Sequence, residues 1–373
     1  MIPKRVLLLH EDRFLANLFR EKLENAGFVV EFAHDGVTGV KAAGANRPDA
    51  VVVDPALPGP DIGGLVTQLR ALGGKKPVPV IVLPNARAIF AEAAKEAGAV
   101  ALARGNDPLG NLLHALQAAL KLDQGALQSK GAGLSAGDGW LKMSLNSAPE
   151  VLANLRRALH EMSREGGSTE AFEEFYRRIH GFAEQMALFG EKPLQYLAGQ
   201  IEVLALDLFK LPEQANASVL RTLGQAIDFL ATLLPDAVRN RLKDPTSAQV
   251  LVVDDEEGAR KIIMAAMRLA NLKSVAADTP TTSLAALGVQ GFDLIFLDVG
   301  LPEMTGFELC AKIRTLPLHE KTPIVFITGM ATFQNRVQSS LSGGNDFVGK
   351  PFNLSELGLK ALIWVFKGQL DQI

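Results

Sequence analysis

Five groups with reactive chemistry follow four short apolar runs near the carboxyl end of the chain. Asp254 and Asp255 follow VLVV (250–253), Asp298 follows LIFL (294–297), Thr328 follows IVFI (324–327), and Lys350 closes DFVGK (346–350). If the runs are strands of one open parallel sheet, the residues at their carboxyl ends share one pocket. Three carboxylates gathered there repel one another. A hard divalent cation relieves this, since Mg2+ takes oxygen ligands, keeps several waters and bridges carboxylate to phosphate. With the charge neutralised, Asp298 can attack a phosphoryl group, Thr328 can donate a hydrogen bond to the added oxygens, and Lys350 can hold them as a point charge. A single aspartate at a strand end is more often a turn residue; five such groups in order, each at its strand end, point to a site.

The elements that must position them follow from periodicity. SVAA (274–277) adds a fifth strand, and segments of helical period separate the five, which predicts a parallel sheet covered on both faces. The pattern occurs twice: RVLLLHED (5–12) aligns with QVLVVDDE (249–256), and the same offset of 244 places Asp54 on Asp298. Between the copies, GALQSKGAGLSAGDG (125–139) and KDPTSAQ (243–249) read as linkers. The block from 147 to 242 has helical segments punctuated by Gly166-Gly167, Gly190 and Pro212. In its second helix Phe172, Phe175, Ile179, Phe182, Met186 and Phe189 recur every three or four residues, the seam of a packed helix. Ser168 or Thr169 can cap its start and Gly190 can end it. The expected architecture is α/β and all-α multidomain: two (βα)5 folds of flavodoxin-like order, 1–122 and 249–373, flanking a four-helix bundle at 147–242, with linkers at 123–146 and 243–248.

Composition sets the bounds. The 373 residues suit two or three cores, and 48% hydrophobic with 21% charged residues describes a folded globular chain. A net charge of -3 without a basic cluster argues against nucleic acid as a partner. The one cysteine, Cys310, excludes an internal disulfide. No apolar run nears the ~20 residues of a membrane span, and the apolar stretch in MIPKRVLLLHED is short for a signal peptide; a cytoplasmic location is expected.

Asp254-Asp255, LDVGLPEMTG around Asp298, ITG at Thr328 and GKPF at Lys350 together resemble the receiver domain of two-component response regulators, over about residues 249–370. The resemblance implies that Asp298 is the phosphoacceptor and that Asp254, Asp255 and the Gly300 carbonyl help hold Mg2+. It also implies that Phe347 is the aromatic switch residue working with Thr328, and that Lys350-Pro351 is a cis junction.

The N-terminal copy keeps Asp54 and loses the rest. His10-Glu11 replaces the acidic pair, Pro84 replaces the threonine, and Arg104 or nothing replaces the lysine. Proline has neither hydroxyl nor N–H to offer a phosphoryl oxygen. This block resembles a pseudo-receiver, a fold kept as a docking or dimerisation surface.

RRIHGFAEQMALFG (177–190) raises a second possibility. His180 follows the seam residue Ile179 by about 100 degrees around the helix, so it is expected to flank the core and face solvent. Ala183 and Ala187 beside it make a low surface that a receiver could approach closely, and imidazole can carry a phosphoryl group. Residues 145–242 are similar to a histidine phosphotransfer domain, but Ala183 and Glu184 stand where that family usually has lysine and glycine. They exchange a cation for an anion where a phosphoryl group or a partner would come. His160, with no motif around it, is a weaker candidate.

The resulting expectation is a response regulator without a DNA-binding output domain, not a turnover enzyme. It would be phosphorylated by a sensor histidine kinase or phosphotransfer protein and would signal by contact with a downstream protein or as a homodimer. The alternatives are a phosphorelay carrier acting through His180 and a phosphorylation-independent scaffold. A haloacid-type hydrolase would want a second aspartate at the position of Gly300.

Overall fold

The structure, a computed structural model, describes residues 3–58, 61–84, 88–102, 108–122, 137–164, 168–329 and 342–371. It divides into two compact units. One comprises residues 1–148 with 180–191, and the other residues 149–179 with 192–373.

The first unit contains β1 (Arg5–Leu9), α1 (Arg13–Asn25), β2 (Val29–Ala33), α2 (Gly36–Asn46), β3 (Ala50–Val53), α3 (Ile62–Ala71), β4 (Val80–Val82), α4 (Ala88–Glu96), β5 (Val100–Ala101) and α5 (Pro108–Leu120). The strands are parallel in the order β2-β1-β3-β4-β5, the flavodoxin-like order. Side chains alternate between the faces, so Leu7, Leu9, Val51 and Val53 pack on one side and Val6, Leu8, Ala50 and Val52 on the other. Asp12 caps α1 by accepting from the Phe14 and Leu15 N–H groups.

Two further helices, α6 (Gly137–Met162) and α7 (Thr169–Leu188), are each shared between the units. α6 begins inside the expected linker, so residues 137–146 are helical rather than extended. Glycine and serine there suggested a flexible segment, but Trp140 has packing partners: its ring meets Phe14 edge-on at 5.1 Å and its N–H donates to Glu21. The Ser168 hydroxyl accepts from the Ala171 N–H at the start of α7, and Gly190 (φ 71) ends that helix as its glycine predicted. Gly166-Gly167 lies outside the described residues.

The second unit continues with α8 (Lys192–Lys210), α9 (Ala217–Leu233) and the short α10 (Asp236–Arg239). It then forms β6 (Gln249–Val253), α11 (Glu257–Leu269), β7 (Lys273–Ala277), α12 (Pro280–Val289), β8 (Leu294–Asp298), α13 (Gly306–Arg314), β9 (Ile324–Thr328), β10 (Asp346–Gly349) and α14 (Leu354–Asp371). Its five strands are parallel in the order β10-β9-β8-β6-β7, the same flavodoxin-like arrangement. Val250, Val252, Phe296 and Val325 face one layer with Leu357 and Val365 of α14; Leu251, Ile295, Leu297 and Phe326 face the other with Leu309 and Ile313 of α13. All five expected strands are present to within a residue or two.

α14 packs against α8, α9 and α11. Its Glu356 carboxylate, 2% exposed, accepts from the Ser218 and Thr222 hydroxyls, and its Ser355 hydroxyl donates to Asp207. α8 and α9 therefore pack on the carboxyl-terminal fold through α14. Among the described residues no helix is long and apolar enough to cross a membrane.

Candidate functional site

β6 and β8 run side by side, which brings the residues beyond their ends together. Asp254, Asp255 and Asp298 each offer a carboxylate oxygen, and these atoms lie within 4.8 Å of one another. Asp254 is fully buried, Asp298 is 6% exposed, and Asp255 is open to solvent. Among the described residues this is the one such three-donor group.

Local hydrogen bonds aim the carboxylates. Asp254 Oδ1 accepts from the Glu256 N–H at 2.9 Å, and Asp298 Oδ2 accepts from the Gly300 N–H at 3.0 Å. Gly306 is required where the loop folds back, because a Cβ there would lie 2.1 Å from the Asp298 carbonyl oxygen. Thr305 and Glu308 then cap α13 reciprocally.

Lys350 supplies the cation. Its Nζ lies 2.9 Å from Asp254 Oδ2, 3.2 Å from Glu256 Oε2 and 3.4 Å from Asp298 Oδ1. The ammonium and Asp254 Oδ2 form a close ion pair at the floor of the site. Burial alone would lower the Lys350 pKa, but the Asp254, Asp298 and Glu256 carboxylates outweigh it and raise it. Asp298 is pushed up, by burial and then by the Asp254 charge, against the pull of Lys350 and the Gly300 N–H. The carboxylates thus repel one another even with the ammonium among them. An all-oxygen set of excess negative charge fits Mg2+. Thr328, 5% exposed, ends β9 next to β10, where the Lys350 N–H donates to the Thr328 carbonyl at 2.7 Å. The Lys350–Pro351 bond is cis, as the resemblance implied.

Residues 250–361 match the family model of the response regulator receiver domain. They are a receiver domain. This region is 31% identical over 112 residues to the nisin biosynthesis regulatory protein of Lactococcus lactis, covering 30% of this chain and 48% of that protein. It is 35% identical over 118 residues to the transcriptional regulatory protein SpaR of Bacillus subtilis, covering 30% of this chain and 50% of that one. The chain spans about half the length of these curated relatives. A solved structure, the chemotaxis response regulator CheY4 of Vibrio cholerae, is 31% identical and overlaps 32% of this chain and 98% of its own, with a TM-score of 0.30. On the receiver domain, Phe347 is half-buried at the start of β10, and the Arg221 guanidinium of α9 lies 5.3 Å from its ring centre.

The strand-end residues of the first sheet have different company. Asp54, 1% exposed, accepts from the Ala56 N–H at 2.8 Å. His10 is equally buried, Glu11 is half-buried, Pro84 is buried beyond β4, and Arg104 lies outside the described residues. The neighbour of Asp54 that sequence reasoning missed is His180. Its Nε2 donates to Asp54 Oδ1 at 3.1 Å.

The expectation that His180 faces solvent is therefore corrected: it is 2% exposed. Helical periodicity located the seam on one side of α7, but residues 180–188 are covered on a second side by the first sheet's loops. The small residues are the signal that was there to be read. Ala183 is 1% exposed, and Gly181 sits so close to Asp12 that a Cβ would lie 3.1 Å from its carboxylate. Glu184, expected to repel a partner, instead accepts from His10 Nε2 at 3.2 Å. His160 is exposed on α6.

Proposed function

We propose that the chain is a response regulator whose receiver domain accepts a phosphoryl group on Asp298. The observation that carries this reading is the convergence of Asp254, Asp255 and Asp298 with Lys350 at adjoining strand ends. An Asp298 oxygen attacks the phosphorus of a phosphodonor, such as the phosphohistidine of a sensor kinase. The phosphorus–donor bond breaks, and the donor leaves with its electron pair. Bound by Asp254, Asp255, Asp298 and the Gly300 carbonyl, Mg2+ would neutralise the carboxylates and the incoming phosphoryl oxygens. Lys350 holds an added oxygen as a point charge, and the Thr328 hydroxyl donates to another.

Thr328 drawn toward the phosphoryl group frees space beside Phe347, which contacts α9 through Arg221. Signalling is then by protein contact, and α8 and α9 are the first surfaces to receive it.

The test is to incubate the whole chain with acetyl phosphate and Mg2+, trap the acyl phosphate by borohydride reduction, and map the modified residue by mass spectrometry. Label is expected on Asp298, with more than about a hundredfold loss in Asp298→Asn, the scale of removing a nucleophile. Label mainly on Asp54 would overturn the assignment.

A further inference from the structure

We propose that the N-terminal sheet is a built-in cap over His180, with Asp54 serving as its docking counter-ion and not as a phosphoryl acceptor. The proposal does not depend on Asp298. Four buried groups from three segments meet here: His10 at the end of β1, Asp54 at the end of β3, and His180 and Glu184 on α7. His180 Nε2 lies 3.1 Å from Asp54 Oδ1 and 3.8 Å from Glu184 Oε2. His10 Nε2 lies 3.2 Å from that same Glu184 oxygen, and His10 Nδ1 lies 3.6 Å from Asp54 Oδ2. Each imidazole thus stands between two carboxylates. Among the described residues Asp54 Oδ2 and Glu184 Oε1 have no hydrogen-bond partner, and the imidazoles are the cationic groups set against these desolvated carboxylates.

The departures on the two sides complement each other. The receiver pattern has a carboxylate where His10 stands, and the phosphotransfer pattern has glycine where Glu184 stands. A metal-binding acid has become a base on the sheet, and an acid has appeared on the helix that meets it. Such an exchange suits a lasting ion-paired contact and removes the carboxylate excess that would bind a cation. Other contacts fit the same docking: Gln185 Nε2 donates to Asp12 Oδ2 at 3.1 Å and its Oε1 accepts from the Ser144 hydroxyl at 2.6 Å, while Phe189 packs on Phe14 at 6.4 Å.

Phosphoryl transfer between this pair is blocked as they stand. Transfer needs the phosphorus in line between attacking and leaving atoms. A nitrogen and an oxygen in direct hydrogen bond leave no room for it. Docking also encloses His180 Nε2, so a donor reaches it only after residues 180–191 leave the sheet. The carboxylate that is an acceptor in the second copy is a latch in the first.

Carbethoxylation by diethyl pyrocarbonate, mapped residue by residue on the whole chain, tests the cap. The exposed His34, His114 and His160 serve as references in the same molecule. His180 in the unmodified sequence is expected to react at least about tenfold more slowly than these. Asp54→Ala should raise its rate about tenfold, the weight of one charge-assisted hydrogen bond. Glu184→Ala, which leaves the sheet side intact and favours helix, should raise it several-fold, by about threefold or more. Amide exchange in β1 and β3 checks the sheet, and if Asp54→Ala abolishes that protection the decision passes to Glu184→Ala. Reaction of His180 at the reference rate without substitution, or an unchanged rate in the deciding variant, would overturn the proposal.

Discussion

Asp298 stands beside two further carboxylates and one ammonium, whereas Asp54 stands against two imidazoles. Both end the third strand of sheets with the same strand order. Their acidities nevertheless move in opposite directions. Burial and the Asp254 charge raise the pKa of Asp298. Burial would raise that of Asp54 too, but His10, His180 and the Ala56 N–H overcome it and bring it down to about 2. The fold fixes where the carboxylate is held, and the neighbouring side chains decide its chemistry. A crowded, anionic site holds repulsion that a bound cation can relieve, and that cation can then accept the oxygens of a phosphoryl group. A compensated site has nothing to gain from either.

The largest expected effect breaks the comparison by removing each carboxylate. Asp54→Ala leaves Glu184 as the one carboxylate against both His10 and His180, and breaking a buried pair costs about 3 to 5 kcal/mol. Asp298→Asn removes a charge the folded state disfavours, and it should be neutral or stabilise by up to about 1 kcal/mol. Urea unfolding can separate the two because the chain has one tryptophan in each unit, Trp140 and Trp364. Trp364→Phe leaves Trp140 to report on the first. Equal effects of the two substitutions would mean that Asp54 is not a counter-ion.

A smaller effect comes from pH. Burial would lower the His10 pKa, but the charges of Asp54, Glu184 and Asp12 raise it from 6.5 to about 9. Its Nδ1 accepts from the Asp12 N–H at 3.1 Å, a contact that a second proton on the ring would break. A group with a raised folded pKa contributes stability that is complete below its unfolded value and lost as pH rises through the folded one. The first unit should therefore lose on the order of 3 kcal/mol between about pH 6.5 and 9. Asp54 acts at the other end: its contribution is present above about pH 4 and lost as pH falls through about 2. Trp140-detected urea midpoints from pH 6 to 10 should fall, and the fall should vanish in His10→Gln. A flat profile would place His10 outside the charge balance.

The receiver pocket was legible because its chemistry is local to strand ends. Asp254, Asp255, Asp298, Thr328 and Lys350 each follow an apolar run, and a parallel sheet brings such ends together whatever else the chain does. The same logic found Asp54, but not its partner. His180 is 126 residues away from Asp54, and nothing in the period of α7 shows that a second surface covers it. Ala183 and Ala187 did indicate that another domain could come close. Glu184 looks like a repulsive charge as long as His10 counts only as a lost metal ligand. Neither substitution is explained by its own segment, and each makes sense against the other. The helical start at Gly137 was hidden for a related reason, since Trp140 is anchored by Phe14 and Glu21 on α1.

The smallest expected effect sharpens the comparison by asking what the reactive site is connected to. Asp54 lies within a contact, whereas the proposed role of Asp298 requires that its site communicate with one. Arg221 of α9 lies over the Phe347 ring, and both side chains are half-buried, so the contact is worth about 0.5 to 1 kcal/mol. Arg221→Ala does not touch Asp254, Asp255, Asp298 or Lys350, and its labelling by acetyl phosphate should stay within about twofold of the parent. Beryllofluoride with Mg2+ stands in for the phosphoryl group, and hydrogen exchange over residues 217–233 then reports whether α9 responds. The parent should show a change in protection there on adding beryllofluoride, and Arg221→Ala should lose about half or more of it, since a coupling free energy cannot exceed the contact that carries it. Undiminished change in the variant would move the route to Glu356, where the α14 carboxylate takes hydrogen bonds from Ser218 and Thr222 of the same helix. No change in the parent would show that α9 does not receive the signal, and the receiver would then communicate through a face other than the one that α9 covers.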